Sequence, residues 1–126
     1  MRLVWSELDE MDAAIEVALD KKHWWTDPPD NLPQQHWQSC RATLAELLSD
    51  DAWSRLAKAH SKIGAFNRLL AMGRDGKDAI HHGNQYIELI ECCDITEFWQ
   101  RQLVSIQDPI KRAVGALDPI VKPETR

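Results

Sequence analysis

Residues 53–70 read WSRLAKAHSKIGAFNRLL, and no other part of the chain indicates its structure as clearly. Within this stretch, large side chains and two polar ones recur at intervals of three and four residues, as they do along one face of an α-helix. The positions are Trp53, Leu56, His60, Ile63, Asn67 and Leu70. We therefore expect a helix over about 51–72, capped by the Ser-Asp-Asp at 49–51 and ended by Gly73.

Two segments before this stretch carry the same spacing. The first helix is predicted over about 6–22, with an inward stripe of Leu8, Met11, Ile15 and Leu19. The second is predicted over about 33–48, with an inward stripe of Trp37, Cys40, Leu44 and Leu47. Three prolines between positions 28 and 33 forbid a continuous helix between the two.

The region after residue 73 gives a weaker pattern and then a strong one. Ile80, Ile87 and Ile90 suggest a helix over about 77–93, although a glycine, as at position 83, costs about 1 kcal/mol against alanine inside a helix. Whether 77–107 form one helix or two stays open. A clear stripe follows at Trp99, Leu103, Ile106, Ile110, Ala113, Leu117 and Ile120.

Pro109 interrupts this last stripe, and two explanations fit. Proline removes a hydrogen bond from a helix and kinks it, whereas after Asp108 it could instead open a fresh capped helix. Because the stripe keeps its phase across Pro109, we favour one kinked helix beginning after Thr96.

The fold class follows from these elements together. We find no two-residue alternation of useful length, so we expect no sheet. A length of 126 residues suits one domain. We predict an all-α, antiparallel four- to five-helix bundle over residues 1–121, with a frayed tail at 122–126.

Charge argues against a nucleic-acid partner. The formal net charge is −5, so the overall potential opposes a polyanion. The basic residues are concentrated between positions 54 and 77, where a single acidic residue, Asp75, accompanies six cations. We interpret this run as a solvated helix face in preference to a polyanion site.

Cysteine usage and hydropathy bear on location. Cys40 and the adjacent pair Cys92 and Cys93 make a poor disulfide framework, which fits a reducing compartment. The chain shows no N-terminal signal and no run of 18 apolar residues. We expect a cytoplasmic protein, or the soluble part of a membrane-anchored one, since nothing in the sequence proves that Met1 is the natural start.

Tryptophan is the unusual feature of the composition, with six Trp against one Tyr and two Phe. Trp37, Trp53 and Trp99 fall on predicted inward faces and are interpreted as core residues. Trp24 and Trp25 precede the proline-rich connection. They either fold over one end of the bundle, which we favour, or form an exposed patch for a partner.

His60 and Asn67 are the polar positions of the clearest stripe. Seven residues, or about 10.5 Å along a helix, separate them on one face. They form either two hydrogen-bonded core sites that fix the helix register, which we favour, or a polar pocket that binds a ligand.

A metal site is not expected. His81, His82, Cys92 and Cys93 resemble a ligand set, but in a helix His82 and Cys93 would lie about 16 Å apart, too far to share one ion. There is no nucleophile motif or phosphate-binding loop. The carboxylates of the first helix are expected on its outer face. We therefore expect no enzyme and no cofactor.

The middle of the chain resembles an uncharacterised bacterial helical-bundle domain often found behind one or two N-terminal membrane helices. The resemblance covers about residues 6–70. Its motifs are Leu32-Pro33 before Trp37, then Leu44-Ala45-Glu46-Leu47-Leu48, and Trp53 before Ala59-His60-Ser61-Lys62-Ile63 and Asn67. His60 stands where an aromatic residue is usual. The resemblance implies a bundle with a membrane-tethered parent, and no activity.

Three functional hypotheses remain. The first is a non-enzymatic interaction or sensory module that binds a protein partner, or a second copy of itself, through a bundle face or through Trp24 and Trp25. The second is a bundle that binds a small molecule or metal around His60 and Asn67. The third is an acidic neutraliser, of the immunity or antitoxin kind, that blocks a basic partner. A membrane is expected to be involved only through segments absent from this sequence.

Overall fold

The computed structural model describes residues 2–25, 31–74, 81–82, 85–86, 90 and 94–121. Within these residues there are four helices and one pair of two-residue strands. The elements are α1 (Arg2–Lys21), α2 (Gln35–Leu47), α3 (Asp50–Arg74), β1 (His81–His82), β2 (Gln85–Tyr86) and α4 (Glu97–Val121). The predicted predominance of helix is therefore confirmed.

The sequence predicted some of the interactions that begin and end the helices. The Ser49 hydroxyl accepts a hydrogen bond from the Ala52 amide at 3.2 Å and so caps α3. Helix α1 begins at Arg2, four residues before the expected start at Ser6. It ends where Lys22 takes a left-handed conformation, with φ of 56°.

The helix predicted over 77–93 is wrong. Strands β1 and β2 pair antiparallel there, with His81 opposite Tyr86 and His82 opposite Gln85. In the sequence these strands are separated by Gly83 and Asn84, a pair typical of short hairpin connections, which lie outside the described residues. The predicted positions Ile80 and Ile87 lie outside the described residues.

Helix α4 contributes a buried apolar face to the core, as its stripe predicted. It is one helix through Pro109, so the alternative of a fresh helix capped by Asp108 is wrong. Its expected inward residues are buried except Ile120, which is 44% exposed. Helix α4 contacts both α3 and α1.

The stripe of α3 is confirmed with four additions and two exceptions. Ala52, Ala59, Phe66 and Gly73 are buried beside the predicted positions, whereas Trp53 and Asn67 are only partly buried. In α2 the last predicted position of the stripe is wrong. Leu47 is 67% exposed, and the neighbouring Leu48 is buried instead.

Polar contacts join α1 to α4 along their length. The Trp5 indole N–H donates to Asp118 Oδ1 at 2.6 Å, near the start of α1 and the end of α4. Farther along α1, the Lys111 ammonium lies 3.2 Å from a carboxylate oxygen of Asp12. No helix among the residues described combines the length and the apolar character needed to cross a membrane.

Candidate functional site

Asn67 holds the chain segment that precedes α2. Its Oδ1 accepts a hydrogen bond from the Leu32 amide at 2.8 Å, and its Nδ2 donates to the Leu32 carbonyl at 3.0 Å. The Leu32 side chain is buried. Both hydrogen-bonding groups of Asn67 are thus engaged by the main chain, which is the structural role expected of a core amide.

His60 is buried between α3 and α2. Its ring lies parallel to that of Trp37, with centroids 4.5 Å apart, and its Nδ1 is 3.1 Å from Gln34 Oε1. An amide oxygen accepts, so Nδ1 carries the proton and Nε2 is left as an acceptor. Nε2 is buried without a hydrogen-bond partner among the described residues.

Burial also sets the protonation state of His60. Loss of hydration disfavours the charged form and lowers the pKa of the imidazole from 6.5 to about 4. At neutral pH His60 is therefore uncharged and presents one donor, already used, and one acceptor.

A cavity of about 330 Å³ opens beside this ring, and we call it the His60 cavity. Helices α2 and α3 supply its walls, together with one residue that precedes α2. Its lining residues are Gln34, Trp37, Gln38, Arg41, Ala57, His60, Ser61, Gly64 and Arg68. Asn67 is not among them, so the structure does not bring the two predicted ligand residues into one site.

Helical spacing explains why these side chains meet. On α3 the lining residues follow one another at intervals of three, one, three and four, which places them on one face. On α2, Trp37 and Arg41 are four apart, and the Arg41 guanidinium lies 5.6 Å from the Trp37 ring centroid. Gly64 lies in this wall without a side chain. A Cβ at this position would lie 3.7 Å from Gln34 Nε2, which is an ordinary van der Waals contact.

The arginines of the cavity were missed as site residues. The basic run between 54 and 77 includes Arg68, but it was interpreted only as a solvated face. Arg41 lies in a different helix and had no local signal beyond its spacing from Trp37. What pairs Arg41 with Arg68 is the packing of two helices, which residue spacing within one helix does not contain.

Glu7 corrects the expectation that the α1 carboxylates all lie outside. It is 7% exposed, and its Oε2 accepts a hydrogen bond from the His36 amide at 3.5 Å, at the start of α2. Gln34 makes no side-chain cap there. A carboxylate from another helix thus meets the positive end of α2. Its spacing from the buried Val4 and Met11 was the signal that could have placed Glu7 inward.

Trp24 and Trp25 take different positions. Trp24 is 5% exposed and meets Trp99 edge to face, with ring centroids 5.7 Å apart. Trp25 is only partly buried and contacts Trp24. Beside them an apolar groove of about 380 Å³ runs along α1, which we call the Trp25 groove. Its lining residues are Ala13, Ala14, Val17, Ala18, Lys21, His23, Trp24 and Trp25.

The described part of the chain contains no group of three His, Cys, Asp or Glu side chains that could hold a metal ion. Cys92 and Cys93, considered above as ligands, lie outside the described residues, and His81 and His82 are described only as strand β1.

Comparison of the chain with protein-family models, with curated proteins and with solved structures finds no match. The resemblance to a bacterial helical-bundle domain therefore stays a prediction.

Proposed function

We propose that this protein is a non-enzymatic helical bundle that binds a small molecule in the His60 cavity. The observation that carries the proposal is a cavity of about 330 Å³ between two helices, whose wall combines the rings of Trp37 and His60 with several polar side chains. Cavities of this size suit small ligands, and bundles build such sites between facing helices.

The same residues argue for binding over catalysis. A histidine with a pKa of about 4 is a weak base at neutral pH, and general bases work best near the operating pH. None of the residues that line the cavity in the described structure carries a thiol or a carboxylate. The site therefore offers recognition groups and one hydroxyl, that of Ser61, without an effective base to activate it.

A ligand screen with two matched variants tests this function. Small polar compounds are screened by thermal shift and by ¹H–¹⁵N NMR, because a ligand that binds the folded state raises its melting temperature. Gly64→Ala adds a methyl group inside the cavity, whereas Gly115→Ala adds one in open space on α4. We expect hits that perturb the amides of residues 57–68 and that weaken in Gly64→Ala alone. A screen without such hits would refute the proposal.

The proposal includes an antiparallel bundle with a bend of α4 at Pro109. The pairings of Trp5 with Asp118 and of Asp12 with Lys111 support opposed directions for α1 and α4. A bend is supported by the missing amide hydrogen of Pro109. We also propose a cytoplasmic location, which the free thiol of Cys40 supports.

A second function, partner binding at the Trp25 groove, is favoured by one specific observation. The groove is apolar, and Val17 in its wall is 53% exposed. Glu10 and Asp20 are exposed on α1 at positions three or four residues from groove residues. A protein segment with an apolar face and a basic flank toward Glu10 matches this surface, in line with the hypothesis of an acidic neutraliser, whereas at the other end Asp20 lies beside Lys21.

Exposed groove residues allow a test that leaves the core intact. A synthetic amphipathic helix with basic flanks is titrated against the protein and against Val17→Glu. We expect saturable binding that Val17→Glu abolishes and that Val104→Glu, at another exposed apolar position, leaves unchanged. Equal binding to all three proteins would indicate nonspecific charge attraction and exclude this function.

A further inference from the structure

We propose that the His60 cavity recognises an oxyanion, a carboxylate or phosphate group held between Arg41 and Arg68. This inference rests on the proposed function and names the chemical class of its ligand. Two arginines from different helices face one cavity, Arg41 from α2 and Arg68 from α3. Guanidinium groups match carboxylate and phosphate oxygens in paired, charge-assisted hydrogen bonds.

Neither arginine is neutralised by its surroundings. Among the residues that the structure describes, ion pairs engage Arg55, Arg101 and Arg112 with carboxylates four residues away, but not Arg41 or Arg68. No acidic side chain of the described ranges lines the His60 cavity. The cavity therefore has two uncompensated positive charges in a protein whose net charge is −5.

The remaining polar groups of the cavity can donate hydrogen bonds. Because Gln34 Oε1 accepts from His60, the Gln34 Nε2 amide is turned toward Gly64, where it lies 3.7 Å from the Cβ that an alanine would carry. Ser61 adds a hydroxyl to the wall beside Gly64. An oxyanion has only acceptor oxygens, so it complements this set of donors.

Size and overall charge define the ligand further. The His60 cavity, about 330 Å³ and open to solvent on its outer side, has room for a small acid or a phosphate ester. The acidic surface of the whole chain repels extended polyanions, so the local positive charge favours a single compact anion.

The test is a ¹H–¹⁵N NMR titration of the full chain at constant ionic strength. The probes are inorganic phosphate and acetate, each compared with a neutral analogue, trimethyl phosphate or acetamide. We expect saturable shifts at the amides of Ser61 and Gly64 with at least one anion and with neither neutral analogue. The anion that binds more tightly identifies phosphate or carboxylate as the recognised group.

Arginine variants test whether the anion binds at Arg41 and Arg68. Arg41→Gln and Arg68→Gln should each weaken binding about tenfold, since each removes charge-assisted hydrogen bonds to the anion. Arg101→Gln removes the same charge from an exposed position on α4 and should leave the affinity unchanged. All three side chains are exposed, so circular dichroism should show a wild-type helix content.

The outcomes separate this inference from the proposed function. Neutral compounds that bind as well as the anions, and that are insensitive to Arg41→Gln and Arg68→Gln, would overturn the oxyanion inference and leave a ligand-binding cavity standing. Equal weakening by Arg101→Gln would assign the effect to bulk charge and overturn the inference. Absence of binding by any probe or screened compound would overturn both.

Discussion

The His60 imidazole lies almost exactly parallel to the Trp37 indole, at an angle of 1° and with ring centroids 4.5 Å apart. This contact joins α3 to α2 and excludes water from the imidazole, which is 3% exposed. One buried ring therefore links the stability of the fold, the pH of the solution and the wall of the proposed binding site.

The pKa of His60 predicts acid destabilisation. The folded-state pKa, about 4, lies below the unfolded value of 6.5, so the unfolded chain takes up a proton first as the pH falls. The free energy of unfolding is therefore highest above pH 6.5. It falls by about 3 kcal/mol as the pH drops toward 4, because the unfolded chain binds a proton that the folded chain does not. Urea unfolding at several pH values should show a weaker dependence in His60→Gln. An identical dependence in both proteins would contradict the assigned burial.

Asn67→Ala should destabilise the fold by about 2 kcal/mol, because it leaves the amide and carbonyl of the buried Leu32 without their partner. Chemical denaturation measures the loss. Ser39→Ala is the matched control, since it removes an exposed hydrogen bond within α2, from the Ser39 hydroxyl to the Gln35 carbonyl. A loss of stability no larger in Asn67→Ala than in this control would refute the structural role of Asn67.

The two neighbouring tryptophans should differ in their contribution to stability. Trp24→Ala removes a buried ring from contact with Trp99, which typically costs about 3–5 kcal/mol. Trp25→Ala should cost clearly less, because Trp25 is only partly buried. Thermal unfolding followed by circular dichroism compares the two variants. A larger loss of stability in Trp25→Ala than in Trp24→Ala would place Trp25 in the core and contradict its position in the wall of the Trp25 groove.

Gly64→Ala and Gly115→Ala should each stabilise the protein by about 0.5–1 kcal/mol, since alanine is favoured over glycine inside a helix. A Cβ at Gly64 would have its nearest contact at 3.7 Å, to Gln34 Nε2, and one at Gly115 would meet nothing within 4 Å. Melting temperatures measure both effects. A lower melting temperature in Gly64→Ala alone would show that Gln34 and Arg68 lie closer to Gly64 than the structure shows.

The sequence predicted best where the physical cause is local and repeated. Leu103, Ile106 and Ile110 mark a single face of α4, and periodic burial of this kind is encoded within a few turns. The same periodicity correctly continued across Pro109, because the apolar face extends on both sides of it.

The sequence predicted poorly where the cause lies in another segment. Glu7 is buried because it meets the start of α2, 29 residues later in the chain. Arg41 and Arg68 share a cavity only after two helices pack. At 81–86 the spacing of three isoleucines indicated a helix, whereas His81 and His82 pair as a strand with Gln85 and Tyr86.

The position of Glu7 at the start of α2 has a consequence for motion. Helix α2 buries only Trp37 and Leu44, and its first turn depends on a carboxylate that α1 supplies. Segments with few buried apolar side chains open locally at a lower free energy than the global unfolding of the domain. Helix α2 is therefore expected to open at a lower free energy than α1, α3 and α4, and its opening would expose the His60 ring, which is stacked on Trp37, to water.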